Sequence, residues 1–139
     1  MKIILASHGS LAEAMLGVLH MIMGDEDDVE ALCLDKWENP GALAAEVKKR
    51  IEAAEGKPLV LVSDIKGGSV FNQLLPLCAC PGVTLFAGMN LDLVLSLVNI
   101  QPETPEAFEE VTGEGKAGIA RFDRETLERM GNENDAEGF

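Results

Sequence analysis

Hydrophobic positions along this chain switch repeatedly between two periods. Short apolar runs, Ile3 to Ala6, Val29 to Leu34, Leu59 to Val62 and Val83 to Ala87, alternate with stretches whose apolar residues recur at helical spacing. Leu11, Met15, Val18 and Ile22 predict one face of a first helix, with Ser10 and Glu13 as a capping box at its start and Gly24 and the acidic run Asp25 to Asp28 at its end. Asn39-Pro40, a cap followed by a proline at the first helical position, opens a second stripe of Leu43, Val47, Ile51 and Ala54 that stops at Gly56. Phe71, Leu74, Leu75 and Cys78 mark a third helix. Asn90 opens a fourth, carrying Leu91, Val94, Leu95 and Val98.

Four strand–helix alternations with short connections predict an α/β fold: a doubly wound, mainly parallel four-stranded sheet with helices on both faces. The branched run Leu59 to Val62 is continuous, as expected of a strand covered on both sides. Beyond Gln101 the texture changes. Glu103 to Val111 reads as a polar helix, Gly118 to Phe122 as a last short strand, and Asp123 to Phe139 as a mobile acidic tail. The expected organisation is one domain over residues 1–122 with a tail over 123–139.

In open parallel sheets, ligands and reactive groups gather beyond the carboxyl ends of the strands, where strand order reverses. For the flavodoxin-like order 2-1-3-4, that point lies between strands one and three. His8 follows the first strand and Asp64 the third, and strands about 4.8 Å apart would let the two side chains meet. A carboxylate on one imidazole nitrogen fixes the tautomer and turns the other lone pair outward, making a nucleophile or a base. Two helix starts flank this pair, Gly9-Ser10-Leu11 and Gly67-Gly68-Ser69-Val70, and free amides at helix starts suit phosphate. Together these residues point to phosphoryl transfer through a phosphohistidine. Taken singly, His8 could be an incidental side chain and Asp64 a turn cap. Their joint placement beside Gly-Gly-Ser favours chemistry. His20, mid-helix and without a carboxylate partner in sequence, reads as packing or surface.

Other patterns fail on context. Gly113-Glu-Gly115-Lys-Ala-Gly118 matches a dinucleotide fingerprint but precedes a strand instead of following one, and reads as a turn. Cys78-Ala-Cys80 lacks partners at zinc spacing, and Asp25 to Asp28 reads as an exposed loop, so neither metal nor cofactor is expected.

Composition narrows the function classes. With 139 residues, 47% of them hydrophobic, the chain can bury a sizeable core. A net charge of −13 disfavours nucleic acid and anionic lipid and suits a basic protein partner. No run approaches the ~20 apolar residues of a membrane span, and the first ten residues do not resemble a leader. The three cysteines, Cys33, Cys78 and Cys80, lack disulfide-framework spacing, so a reduced, cytoplasmic protein is expected. Tyrosine is absent and Trp37 stands alone, which disfavours a flavin module.

At three places the chain resembles the IIA proteins of the mannose family of the bacterial phosphoenolpyruvate-dependent sugar phosphotransferase system. These are Leu5-Ala-Ser-His8-Gly9, Ser63-Asp64-Ile-Lys-Gly67-Gly68-Ser69-Val-Phe71-Asn72 and Ala87-Gly88-Met89-Asn90-Leu91. The resemblance runs from residue 1 to about residue 122. It implies that His8 is the phosphoacceptor, as a tele-phosphohistidine, and that Asp64 orients it. Gly9, Ser10, Gly67, Gly68 and Ser69 would surround the phosphate, with Lys66 and Asn72 as possible contacts. The implied partners are HPr as donor and a IIB component as acceptor, with the membrane IIC and IID subunits acting indirectly. The resemblance further implies an extra antiparallel edge strand, exchanged in a homodimer, for which Gly118 to Phe122 is the segment. Two positions depart from the family. Val70 replaces a common proline, and Lys66 replaces a large apolar residue, adding a positive charge that either holds the phosphate or faces solvent. The chain is also similar to phosphocarrier subunits of phosphotransferase-dependent dihydroxyacetone kinase. A receiver-like switch would share Asp64 but needs an acidic pair where Ser7-His8 stands.

Overall fold

The computed structural model describes residues 1–136. Four strands, β1 (Lys2–Ser7), β2 (Val29–Cys33), β3 (Leu59–Ser63) and β4 (Val83–Ala87), form one parallel sheet in the order β2-β1-β3-β4. The predicted class and strand order are both observed. Helices α1 (Leu11–Met23), α2 (Pro40–Ala53), α3 (Ser69–Leu74), α4 (Leu91–Ile100), α5 (Pro105–Ala117) and α6 (Arg124–Ala136) complete the described elements, with short 3-10 turns after β2 and α3.

Alternate strand residues build two cores. Ile3, Leu5, Val60 and Val62 face α1, α4 and α5, whereas Ile4, Ala6, Leu59 and Leu61 face α2 and α3. β1 and β3 are buried along nearly their whole lengths, because each has a neighbour on both edges and helices on both faces. The second stripe packs as its spacing predicts, with Leu43, Val47 and Ile51 buried and Asn39 accepting the Ala42 amide at 2.8 Å.

The first stripe does so only at Met15. α1 buries Ala12 and Leu19, with Met15, Leu16 and Met23 packed beside them, while Leu11, Val18 and Ile22 stay exposed. The predicted Ser10–Glu13 capping box is also absent: the Ser10 side chain makes no cap bond, and Glu13 instead pairs with Lys36. The helix is apolar on two faces, so periodicity could not choose between them. The choice is made by Ser7, fully buried at the end of β1, whose Oγ accepts the Ala12 amide at 2.8 Å. That bond fixes the rotation of the first turn and presses the small Ala12 against the sheet. Ser7→Ala leaves this helix-start amide without its acceptor, and a loss of about 1 kcal/mol in unfolding free energy is expected by chemical denaturation.

The carboxyl-terminal third differs most from the sequence reading. α5 continues past Val111 to Ala117, so the glycine pattern at 113–118 lies within and at the end of a helix and is not a turn before a strand. Among the described residues no antiparallel edge strand forms: Gly118 turns out of α5 and residues 119–123 run unpaired to α6. Ile119 and Phe122 supply the apolar pair that reads as a strand, but within one chain nothing brings them alongside β4, and both remain exposed. The expected mobile tail is helical over Arg124–Ala136, capped by Asp123, which accepts the Thr126 amide at 2.9 Å. Residues 137–139 lie outside the described part. Among the described residues, no helix is long and apolar enough to cross a membrane.

Candidate functional site

The parallel register places Ala6 opposite Ser63, so Asp64 falls beside Ser7, one residue short of His8. From there the carboxylate reaches forward. Asp64 Oδ2 accepts the His8 backbone amide at 2.9 Å and lies 2.8 Å from His8 Nδ1, while Oδ1 accepts the Ile65 amide at 3.0 Å. The two side chains therefore meet across the crevice between β1 and β3. Asp64 is largely covered, with 11% of its side chain exposed, whereas His8 is 46% exposed. Burial pushes the Asp64 carboxyl up, but the His8 amide and ring and the Ile65 amide outweigh it and hold the group below the usual carboxylate range.

An ionised Asp64 next to Nδ1 requires that nitrogen to carry the proton. Nε2 then presents its lone pair, and Ser69 Oγ lies 2.9 Å away, placed to donate to it. Both ring nitrogens are thus assigned by their neighbours.

Two left-handed glycines make the approach possible. Gly9 (φ +53°) turns the chain out of β1 immediately after His8, and Gly67 (φ +82°) closes the loop after β3. Gly68 is needed for a different reason: a Cβ there would stand 2.7 Å from Ile65 Cγ2 and 3.6 Å from His8 Cε1. Its amide is engaged by the Ile65 carbonyl at 3.2 Å. Of the second predicted phosphate cradle, this leaves the first-turn amides of α3, from Ser69 onward, as the free donors. Asn72 bonds the Gly67 carbonyl through Nδ2 at 3.0 Å and so braces the loop. Lys66 stands exposed at the turn, without an ion pair among the described residues. Gly9 and Ser10, next in sequence to His8, are exposed.

Sequence reasoning missed the anchoring role of Ser7 and the second bond of Asn90. Ser7 anchors α1 from within the core, and a serine ending an apolar strand was its only signal. Asn90 caps α4 by accepting the Leu93 amide at 2.8 Å, as its position predicts, but its Nδ2 also donates to the Gly115 carbonyl at 2.8 Å and ties α4 to α5. His20 packs on α1 with Nε2 buried and unpartnered, far along the helix from the His8 site. Among the described residues, no three His, Cys, Asp or Glu side chains gather as a cation site.

The chain is thus a doubly wound α/β protein with a histidine and an aspartate paired at its switch point. Residues 2–112 match the family model described as PTS system fructose IIA component, EIIA-man, and the chain belongs to that family, the IIA components of the sugar phosphotransferase system. Solved structures agree in fold. EIIA from Streptococcus agalactiae superposes with a TM-score of 0.77 at 20% identity, covering 87% of this chain and 96% of its own. A candidate phosphoenolpyruvate-dependent sugar phosphotransferase permease from Klebsiella pneumoniae gives 0.77 at 27% identity, covering 86% and 89%. The mannose/sorbose-specific IIA subunit from Enterococcus faecalis gives 0.72 at 24% identity, covering 88% and 94%. No curated protein matches the chain in sequence.

Proposed function

We propose that this protein is a cytoplasmic phosphoryl carrier: His8 accepts phosphate from phosphorylated HPr and passes it to a IIB component, which serves sugar uptake through membrane IIC and IID subunits. One observation carries the reading. Nδ1 of His8 is held by Asp64 at 2.8 Å, while Nε2 is directed at the exposed side next to the Ser69 hydroxyl. Such an imidazole has one nucleophilic nitrogen and one permanently anchored proton.

In the transfer, the Nε2 lone pair forms a bond to phosphorus as the bond from phosphorus to the donor's imidazole breaks. The electron pair of the broken bond leaves with the donor. The positive charge that develops on the His8 ring is matched by Asp64, which keeps the Nδ1 proton throughout. Ser69 swings from Nε2 to a phosphoryl oxygen, and the first-turn amides of α3 add donors on the same side. Transfer onward to a IIB histidine is the same step reversed, which suits a site that stabilises the phosphorylated and free imidazole about equally.

Incubation with labelled phosphoenolpyruvate, the general phosphotransferase enzyme and HPr tests this directly. Acid-labile, base-stable label mapped to His8 is expected. Label elsewhere, or a base-labile acyl phosphate on Asp64, overturns the assignment. Ser69→Ala removes one donor to the phosphoryl group and is expected to slow transfer about tenfold in rapid-quench measurements, without abolishing it.

On the same reading the chain works as a homodimer in which residues 118–122 of one copy lie along β4 of the other. Three features support this. β4 is an open edge in the single chain. A groove of about 210 Å³ lined by Phe86, Leu93, Gly115 and Ile119 lies beside it. Ile119 and Phe122 are 78% and 65% exposed. An unpaired apolar edge is an aggregation hazard unless covered. Sedimentation equilibrium is expected to return twice the 14.9 kDa chain mass, and a chain mass independent of concentration overturns the dimer.

A further inference from the structure

Asp64, His8 and Ser69 form a chain of contacts whose chemistry is not exhausted by phosphoryl transfer. Asp64 Oδ2 lies 2.8 Å from His8 Nδ1, and His8 Nε2 lies 2.9 Å from Ser69 Oγ. At such separations an acid orients an imidazole and the imidazole activates a hydroxyl, and a triad of this kind is recognised by geometry and roles, whatever the fold. Its orienting end is fixed, because Asp64 also accepts the backbone amides of His8 and Ile65 at 2.9 and 3.0 Å. At its other end, Ser69 Oγ makes no further hydrogen bond among the described residues. Ser69 opens α3 directly after the turn that leaves β3, the strand–turn–helix placement that carries the nucleophile of α/β hydrolases. Here Gly67 (φ +82°) takes up the sharpness of the turn, and the serine itself is not left-handed. Ser69 and His8 are both exposed, so a substrate reaches them directly. Ile65, 59% exposed, lies against Gly68 near His8 Cε1 and offers an apolar surface for an acyl or aryl group.

We infer that the protein has a second activity, hydrolysis of small activated carboxylic esters, with Ser69 as nucleophile and His8 as general base. The inference stands apart from the phosphocarrier reading, since it uses Nε2 as a proton acceptor and not as the atom that bonds to phosphorus. Ser69 Oγ forms a bond to the acyl carbon as its proton passes to Nε2. The tetrahedral adduct then collapses: the bond from the acyl carbon to the leaving oxygen breaks, and the alcohol or phenol departs with the proton from Nε2. Water attacks the acyl-serine and gives a proton to Nε2. The carboxylic acid leaves as that proton returns to Ser69 Oγ. Asp64 keeps the Nδ1 proton throughout and matches the charge that appears on the ring. Aryl esters ask least of an open site, because a phenolate is a good leaving group. On the phosphocarrier reading the two reactions exclude each other, because a phosphoryl group on Nε2 removes the base.

The probe is p-nitrophenyl acetate, with nitrophenol release followed by absorbance and the acylated residue mapped by mass spectrometry. Wild-type protein is expected to release nitrophenol faster than His8→Ala and to carry acetyl on Ser69 at short times. Ser69→Ala is expected to lose the His8-dependent rate by about tenfold or more. Its circular dichroism should match wild type, because the side chain is exposed. A fluorophosphonate gives a second readout that needs no variant of Ser69. It is expected to attach to Ser69 of the wild type with release of fluoride, and to leave His8→Ala unlabelled. An imidazole can itself attack an activated ester, and the same measurements separate that route. A Ser69→Ala rate equal to wild type, or acetyl found on His8 alone, overturns the serine nucleophile. So does a wild-type rate no higher than that of His8→Ala, or a fluorophosphonate that leaves Ser69 of the wild type unmodified. Each of these results leaves the phosphocarrier reading standing.

Discussion

His8→Ala is expected to abolish label transfer from phosphorylated HPr while leaving a folded protein. The side chain is 46% exposed and belongs to neither core, so its removal creates no cavity. Asp64 keeps two of its three bonds, because they come from the backbone amides of residues 8 and 65. The loop geometry therefore survives, and unfolding free energy should change by no more than about 0.5–1 kcal/mol. The chemical loss is of another scale. On the proposed phosphocarrier role, the substitution removes the nucleophile that bonds to phosphorus, and the rate should fall by about 10⁴-fold or more. Rapid-quench transfer assays paired with thermal melts would separate the two quantities. Residual labelling within tenfold of wild type would place the acceptor elsewhere.

Asp64→Asn is expected to have the second largest effect, through the tautomer. The carboxylate can only accept, so Nδ1 must hold the proton and Nε2 stays nucleophilic. An asparagine can present its amide nitrogen to the ring instead. It would then donate to Nδ1, drive the proton to Nε2 and bury the lone pair on the wrong side. A fall of about 10²–10⁴-fold is expected, in the range found when a histidine's orienting carboxylate becomes an amide. Asp64→Ala imposes no tautomer and should be less damaging than Asp64→Asn. Equal losses in the two variants would show that the carboxylate acts by charge alone, and ¹⁵N spectra of the ring report the tautomer independently.

The lowered pKa of Asp64 contributes an acid limb to stability. A carboxyl held lower in the folded chain than in the unfolded one contributes its full stabilisation above about pH 4, the ordinary aspartate range, and loses it as pH falls through the folded value. Unfolding free energy should accordingly keep its Asp64-dependent part down to about pH 4 and lose it below, whereas Asp64→Ala should show no such limb in denaturation curves taken against pH.

Much of this site was legible before any coordinates. His8 and Asp64 end the two strands that flank the switch point, and a parallel register within one residue is enough to bring a carboxylate to an imidazole. Ser69, which the glycines ahead of it mark at a tight return of the chain, lies 2.9 Å from His8 Nε2. The roles within the loop were less legible. Gly68 and Asn72 look like phosphate ligands in sequence, yet one has its amide engaged in a turn and the other braces a carbonyl. Donor capacity can be read from residue type, but which acceptor takes it depends on loop geometry. Ion pairs were equally opaque. Arg50 on α2 reaches Glu30 on β2, which Lys2 also approaches at 3.5 Å, and Arg50 chiefly holds the Glu30 carboxyl low. Nothing local in the sequence joins those three residues.

By itself the sequence determined the alternation of elements, the two-sided burial of β1 and β3, and the ends at which chemistry could collect, because these follow from hydrophobic period and from glycine and cap positions that act over a few residues. Tertiary structure alone decided which of two apolar rows on α1 faces the sheet, how far α5 extends, and that residues 118–123 find no strand partner within the chain. In each of these cases the competing arrangements bury similar side chains locally, and the difference in free energy arises from atoms distant in sequence: the Ser7 hydroxyl at Ala12, the Asn90 amide at Gly115, and the unoccupied edge of β4.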